Sequence, residues 1–242
     1  MPVITKIIAQ KRRPNRRNVY LDGTFAFGAN LNVIARFRLR EGLTLSDEQV
    51  QAIVQGEVRQ ECFDKALAYL QLRLHSRAEL TKKLIGREYS PAMAADVVEQ
   101  LRGLGYVDDE RFARTKAASA AQHKHHGQKR ARLELLKAGI GGAVADRALA
   151  EVYTKAGSAA VADLLAEKQL PRLRKLEPAV ARRRLAGMLQ RRGFDYETIA
   201  PIIEKCLGAD RQDELNETQA SIQRRSTRQE SSHRLGRGGG LV

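Results

Sequence analysis

The stretch "RARLELLKAGIGGAVADRALAEV", residues 130–152, places apolar side chains at Ala131, Leu135, Ile140, Ala145 and Leu149. Steps of four and five residues keep an apolar face on two helices, one on each side of the turn marked by Gly141-Gly142. The pattern returns twice. In "ELTKKLIGREYSPAMAADVVEQL", residues 79–101, the equivalents are Leu80, Leu84, Tyr89, Ala94 and Val98. In "RRRLAGMLQRRGFDYETIAPIIEKC", residues 182–206, they are Leu185, Leu189, Phe194, Ile199 and Ile203. The central anchors Tyr89, Ile140 and Phe194 stand 51 and 54 residues apart, so a unit of about fifty residues occurs three times.

Each unit reads helix, helix, short linker, helix. In the first, "ECFDKALAYLQLR" precedes "SRAELTKKLIGR" and "SPAMAADVVEQLRGLG". Ser76 and Ser90 suit N-caps, Pro91 the first helical position, and Gly103 or Gly105 a terminator. Upstream, "NVYLDGTFAFG", residues 18–28, predicts a β-hairpin, because Asp22-Gly23 is a favoured pair for a type I′ turn. Residues 4–12 read as a third strand. "GANLNVIARFRL" reads as a helix lasting until a C-cap at Gly42, and Ser46 caps a second helix.

The expected fold is mainly α, three tandem three-helix repeats behind a small N-terminal β-hairpin and helix region. The boundaries expected are 1–60 for that region, 61–109, 110–154 and 155–207 for the repeats, and 208–242 for a polar, glycine-ended disordered tail. Composition agrees, with 43% hydrophobic residues, only 5% aromatics and no Trp among 242 residues.

A net charge of +15 implies a partner that is negatively charged. By segment the balance is +5, −1, +5, +5 and +1 in the order just given, so the charge lies on the repeats and the N-terminal region rather than the tail. No stretch approaches the length of a spanning helix, "MPVITKIIAQKRR" lacks a signal-peptide apolar core, and Cys62 and Cys206 define no disulfide framework. A cytoplasmic monomer without a membrane partner is expected.

The acidic triplet Asp108-Asp109-Glu110 falls where a helix must begin. Asp108 suits the N-cap, Asp109 and Glu110 the first turn, and Val107 with Phe112 a hydrophobic staple. A catalytic or metal role is not needed to explain it.

"GYVDDERFA", residues 105–113, preceded by "YLQLRLHSRAELTKKL" and followed by "GQKRARLELLKAGI", resembles the RecX family of bacterial regulatory proteins, and "RRRLAGMLQRRGFDYETI", residues 182–199, is similar to the family's last repeat. The resemblance covers about residues 61–207. His75-Ser76 before Arg77 is a minor departure, and the tail after 208 has no counterpart. The resemblance implies a non-enzymatic modulator that lies in the groove of the RecA recombinase filament on single-stranded DNA. It would suppress ATPase, strand exchange and co-protease activities, binding bare nucleic acid weakly. Regulation of recombination, DNA repair and the SOS response would follow.

Charge clustering marks the candidate contact residues: Lys124, Lys129, Arg130, Arg132 and Lys137 in the second unit, and Arg182, Arg183, Arg184, Arg191 and Arg192 in the third. Solvated helix faces are the plain alternative. "QKRRPNRR", residues 10–17, reads as a turn at Pro14-Asn15 or as a loop reaching DNA. His123, His125 and His126 lack the partner ligands of a zinc site and are assigned to the basic face; Cys62 and Cys206 read as core thiols, and Tyr89, Tyr106, Phe112 and Phe194 as packing residues. No catalytic residue, cofactor or metal is expected. The rival reading is a stand-alone basic DNA-binding protein of helix-turn-helix type, and a scaffold for another acidic partner is a third.

Overall fold

The computed structural model describes residues 1–153 and 155–208. The tail expected beyond 208 lies outside the described residues. Three strands come first, β1 (Ile4–Gln10), β2 (Arg13–Leu21) and β3 (Thr24–Asn30), in an antiparallel sheet of order β1-β2-β3. Asp22 and Gly23 have φ of 49° and 84°, the double left-handed geometry that the Asp-Gly turn required.

Pro14-Asn15 forms no turn. Both residues lie within β2, in the irregular stretch between the Gln10–Arg13 and Ala9–Arg17 pairs and beyond the last β2–β3 pair at Arg16–Asn30. Proline cannot donate to a ladder and is tolerated where pairing is interrupted.

The first helix, α1 (Leu31–Arg36), is shorter than expected. It stops because Arg38 takes a left-handed φ of 51°, while Gly42, also left-handed, lies in the loop beyond. Helix α2 (Asp47–Leu72) begins on Ser46 with a full capping box to Gln49. It runs unbroken through residue 60, where a boundary was expected, since "GEVRQE" contains no residue that stops a helix once Gly56 is tolerated. Its first half closes the core of the sheet, with Ile53 beside Ile4, Val19, Ala29 and Val33. Its second half contributes Cys62 and Ala66 to the core of the first repeat.

The other helices are α3 (Arg77–Ile85), α4 (Pro91–Gly103), α5 (Asp109–Gln122), α6 (Gln128–Lys137), α7 (Gly142–Val152), α8 (Lys155–Leu173), α9 (Pro178–Arg192) and α10 (Tyr196–Leu207). The repeat register is the burial register. Leu84, Leu135 and Leu189 are each fully buried, as are Leu80, Leu185, Ala145 and Leu149, and Ala131, Ile140 and Phe194 nearly so. Leu80, Leu84, Ala94, Val97 and Leu101 fill one core; Ala162, Ala166, Leu185, Leu189, Ile199 and Ile202 fill another. Burying each leucine contributes about 1.5–3 kcal/mol. Contacts divide the chain into two compact units: Met1–Thr115 with Leu135–Ala145, and Lys116–Glu134 with the residues from Asp146 on.

Candidate nucleic-acid and partner interface

Helices α3, α6 and α9 are the second helices of their repeats, and their ends are built alike. The residue before each anchor is left-handed: Glu88 at φ 70°, Gly139 at 79° and Gly193 at 88°. Close approach explains the two glycines. In the first unit, Ser76 caps α3 by accepting from the Glu79 amide at 3.0 Å and donates its hydroxyl to the Ala138 carbonyl. A Cβ on Gly139 would stand 2.2 Å from the Ala78 methyl. In the second unit the start of α6 lies on the end of α9. The Gly127 amide donates to the Arg192 carbonyl at 2.7 Å, and the Lys129 amide to the Gly193 carbonyl at 3.2 Å. A Cβ on Gly193 would stand 2.4 Å from the Arg130 backbone nitrogen. Amides at the start of α6 thus meet carbonyls at the end of α9, pairing groups the helices leave free and bringing the positive end of one dipole to the negative end of the other.

The acidic triplet does what its position implied, and more. Asp108 Oδ1 accepts from the Glu110 and Arg111 amides at 2.8 and 3.0 Å, capping α5. Asp109 Oδ1 also accepts from the Arg77 amide at 2.9 Å, so one carboxylate serves the start of α3. No local sequence signal announces that second bond.

The ten candidate cations separate into two groups. Around α6, Lys124 pairs with Glu134 at 3.1 Å, and Arg130 reaches the same carboxylate at 3.8 Å while donating to the Arg191 carbonyl at 2.9 Å. Arg132 is held by both oxygens of Asp146, at 2.6 and 3.1 Å, and its fork keeps that carboxyl below the usual range. Lys129 acts on Asp195, whose carboxyl is held below its ordinary value chiefly by the Thr198 side chain, with Lys129 helping. Lys137 is exposed with no ion pair among the described residues. Around α9, half-buried Arg192 donates to the Lys124 carbonyl at 2.8 Å, and half-buried Arg182 donates to the Gly208 carbonyl. Arg183, Arg184 and Arg191 are exposed, with no side-chain hydrogen bond or ion pair among the described residues, and line one groove with Arg172 of α8.

Two other expectations change. His126 is not on an exposed basic face: it is 9% exposed, and burial, with Arg130 next, pushes its pKa below the ordinary value. Helix α5 ends at Gln122, so the histidines sit in the following linker. Tyr106 is 56% exposed rather than packed, whereas Phe112 and Phe194 are buried and Tyr89 packs at the edge of the first core. Cys62 is buried, with its thiol pushed up to about 11 by desolvation, and half-buried Cys206 is raised for the same reason, as inert core thiols should be. Among the described residues no group of three metal-ligating side chains converges, and no helix is long and apolar enough to cross a membrane.

The architecture defines a class: a tandem three-helix repeat protein behind a small antiparallel sheet, carrying cationic second helices. The chain belongs to the RecX family. Four domain descriptions of that family match in order: "Regulatory protein RecX N-terminal domain" over residues 2–46, and the first, second and third three-helix domains over 62–101, 108–149 and 159–203. "Regulatory protein RecX" of Bacillus subtilis is 31% identical over 208 residues, 85% of this chain and 77% of that one. The protein of the same name from Limosilactobacillus reuteri is 30% identical over 82% of this chain and 76% of its own. The solved "Crystal structure of regulatory protein RecX" superposes with a TM-score of 0.72 at 28% identity, covering 84% of this chain and 98% of that one. RecX from Lactobacillus salivarius gives 0.56 at 25% identity, over 61% and 96%.

Proposed function

We propose that this protein is a cytoplasmic, non-catalytic regulator that binds RecA recombinase filaments on single-stranded DNA and restrains their ATPase, strand-exchange and co-protease activities. In that role it modulates recombination, DNA repair and the SOS response. The observation that carries the proposal is the ordered match of four RecX domains along the chain, with relatives named regulatory proteins. The cationic second helices supply a surface for an anionic nucleoprotein, and linked repeats let weak contacts add through effective concentration.

The helix-turn-helix alternative is disfavoured by charge. In such a reader the helix after the turn enters the major groove. Here the third helices α4, α7 and α10 each carry two acids against one base, so each would face phosphates with a net negative charge. The deciding experiment is RecA ATP hydrolysis on preformed filaments, with this protein far below stoichiometry and DNA in excess of what it could mask. A marked fall in rate is the expected result. An unchanged rate alongside tight, sequence-selective duplex binding would replace the proposal with the stand-alone DNA-binding reading.

A further inference from the structure

Between α8 and α9 lies a groove of about 510 Å³, lined by Arg172, Arg183, Arg184 and Arg191 over an apolar floor that includes Leu176 and Met188. No acidic side chain lines it, and none of the four arginines has a side-chain hydrogen bond or ion pair among the described residues. Four unneutralised cations in one groove repel one another, which costs stability unless an anion is taken there. Elsewhere the same unit neutralises its bases, with Glu134 serving Lys124 and Asp146 serving Arg132.

The kind of anion follows from the side chains. All four are arginines, whose planar forks grip phosphate oxygens by two parallel bonds where lysine offers a point charge. Their stems can lie on the apolar floor while the heads reach solvent. Arg191 follows Arg183 and Arg184 by two turns of α9, about 12 Å along the axis, so the charge forms a line rather than a pocket for a single phosphate. A narrow concave line of positive charge fits one strand.

We propose that the α8–α9 groove holds the phosphodiester backbone of a single-stranded nucleic acid. The proposal rests on the filament reading and deepens it: this groove meets the DNA strand, not the recombinase. The groove refines the charge-cluster assignment. Arg172 enters the site, and Arg182 leaves it, being committed to the Gly208 carbonyl.

The test uses the full chain carrying Arg172→Gln, Arg183→Gln, Arg184→Gln and Arg191→Gln, with a labelled oligothymidylate followed by fluorescence anisotropy across a salt titration. Affinity should fall at least tenfold, and the slope of log K against log salt should shrink by about 3, as four lost single-strand phosphate contacts require. The double variant Arg183→Gln/Arg184→Gln should remove about half of that slope and guards against misfolding of the quadruple one. Unchanged affinity and slope would overturn the proposal, as would a loss confined to polyglutamate, which would assign the groove to an acidic protein. The filament reading fails separately. If the unmodified protein binds oligothymidylate through the groove yet leaves RecA hydrolysis untouched, the groove stands and the regulator does not.

Discussion

Helices α6 and α9 occupy the same place in successive repeats, and by composition they look equally suited to an anionic partner. The structure separates them. Near α6, the carboxylates of Glu134 and Asp146 take up Lys124, Arg130 and Arg132, leaving Lys137 as its one cation without a nearby acid among the described residues. On α9, the cations with no side-chain hydrogen bond or ion pair among the described residues are Arg183, Arg184 and Arg191, joined by Arg172 of α8. A helix's count of bases is therefore a poor measure of its available charge; the position of its acids decides.

The comparison assumes that both helices are held in equivalent seats, and breaking the seats should produce the largest effects. Gly193→Ala drives a Cβ to 2.4 Å from a backbone nitrogen at a left-handed residue, and should cost about 3 kcal/mol or more in denaturant unfolding. Gly139→Ala meets only the Ala78 methyl, so Ala78→Gly should recover part of its loss. A side-chain change of that kind has no counterpart at Gly193. Glu88→Gly, at the third left-handed position, should lose nothing and gain up to about 1 kcal/mol. A Gly193→Ala protein as stable as its parent would show that the seats do not position the helices.

Charge reversal sharpens the contrast next. Arg183→Glu, Arg184→Glu and Arg191→Glu together should raise the concentration needed for half-inhibition of RecA hydrolysis by at least tenfold, with helical content intact. The α6 reversal Lys137→Glu should shift it only a few-fold. Equal losses from both helices would return the contact surface to the two clusters jointly.

Much of this was legible in the chain because it is local. Ser46, Ser76, Ser90 and Asp108 cap the helices their neighbours predicted, and the apolar register of Leu84, Leu135 and Leu189 follows from helical spacing alone. What was not legible is non-local. Asp146 lies fourteen residues from Arg132 and across a turn, and Arg77 lies 32 residues from Asp109. Pairings of that kind depend on how helices pack. Helix α2 crosses the boundary expected at 60, with Ile53 in the core of the sheet and Cys62 and Ala66 in that of the first repeat. A single helix can serve two cores, and periodicity cannot show that it does.

Removing a neutralised charge should matter least among the charge variants. Arg132→Gln deletes an exposed pair with Asp146, and surface pairs of this kind contribute little once screened by salt. Melting temperature and RecA inhibition should both stay within error of the parent. A large drop in inhibition with stability unchanged would place Arg132 among the contact residues and erase the distinction between α6 and α9.

The smallest effect is a dependence on pH that the two helices should not share. His126, beside the start of α6, is buried with Nδ1 3.1 Å from Glu134, and Lys124, Arg130 and Arg192 also act on it. Burial, then Arg130, lowers its pKa below the ordinary 6.5, against the opposing pull of Glu134. The folded chain therefore takes up this proton later than the unfolded chain. Its contribution is fully present above the unfolded value and is lost as pH falls below it. Melting temperature should decline between about pH 7 and pH 5, and His126→Gln should flatten part of that decline, the remainder belonging to His75, which burial shifts the same way. Among the described residues no histidine or carboxylate lines the α8–α9 groove, so oligothymidylate affinity should stay level while the fold holds. An affinity that follows the melting temperature down, well before unfolding begins, would tie the groove to the histidine seat and show that the two helices do not act independently.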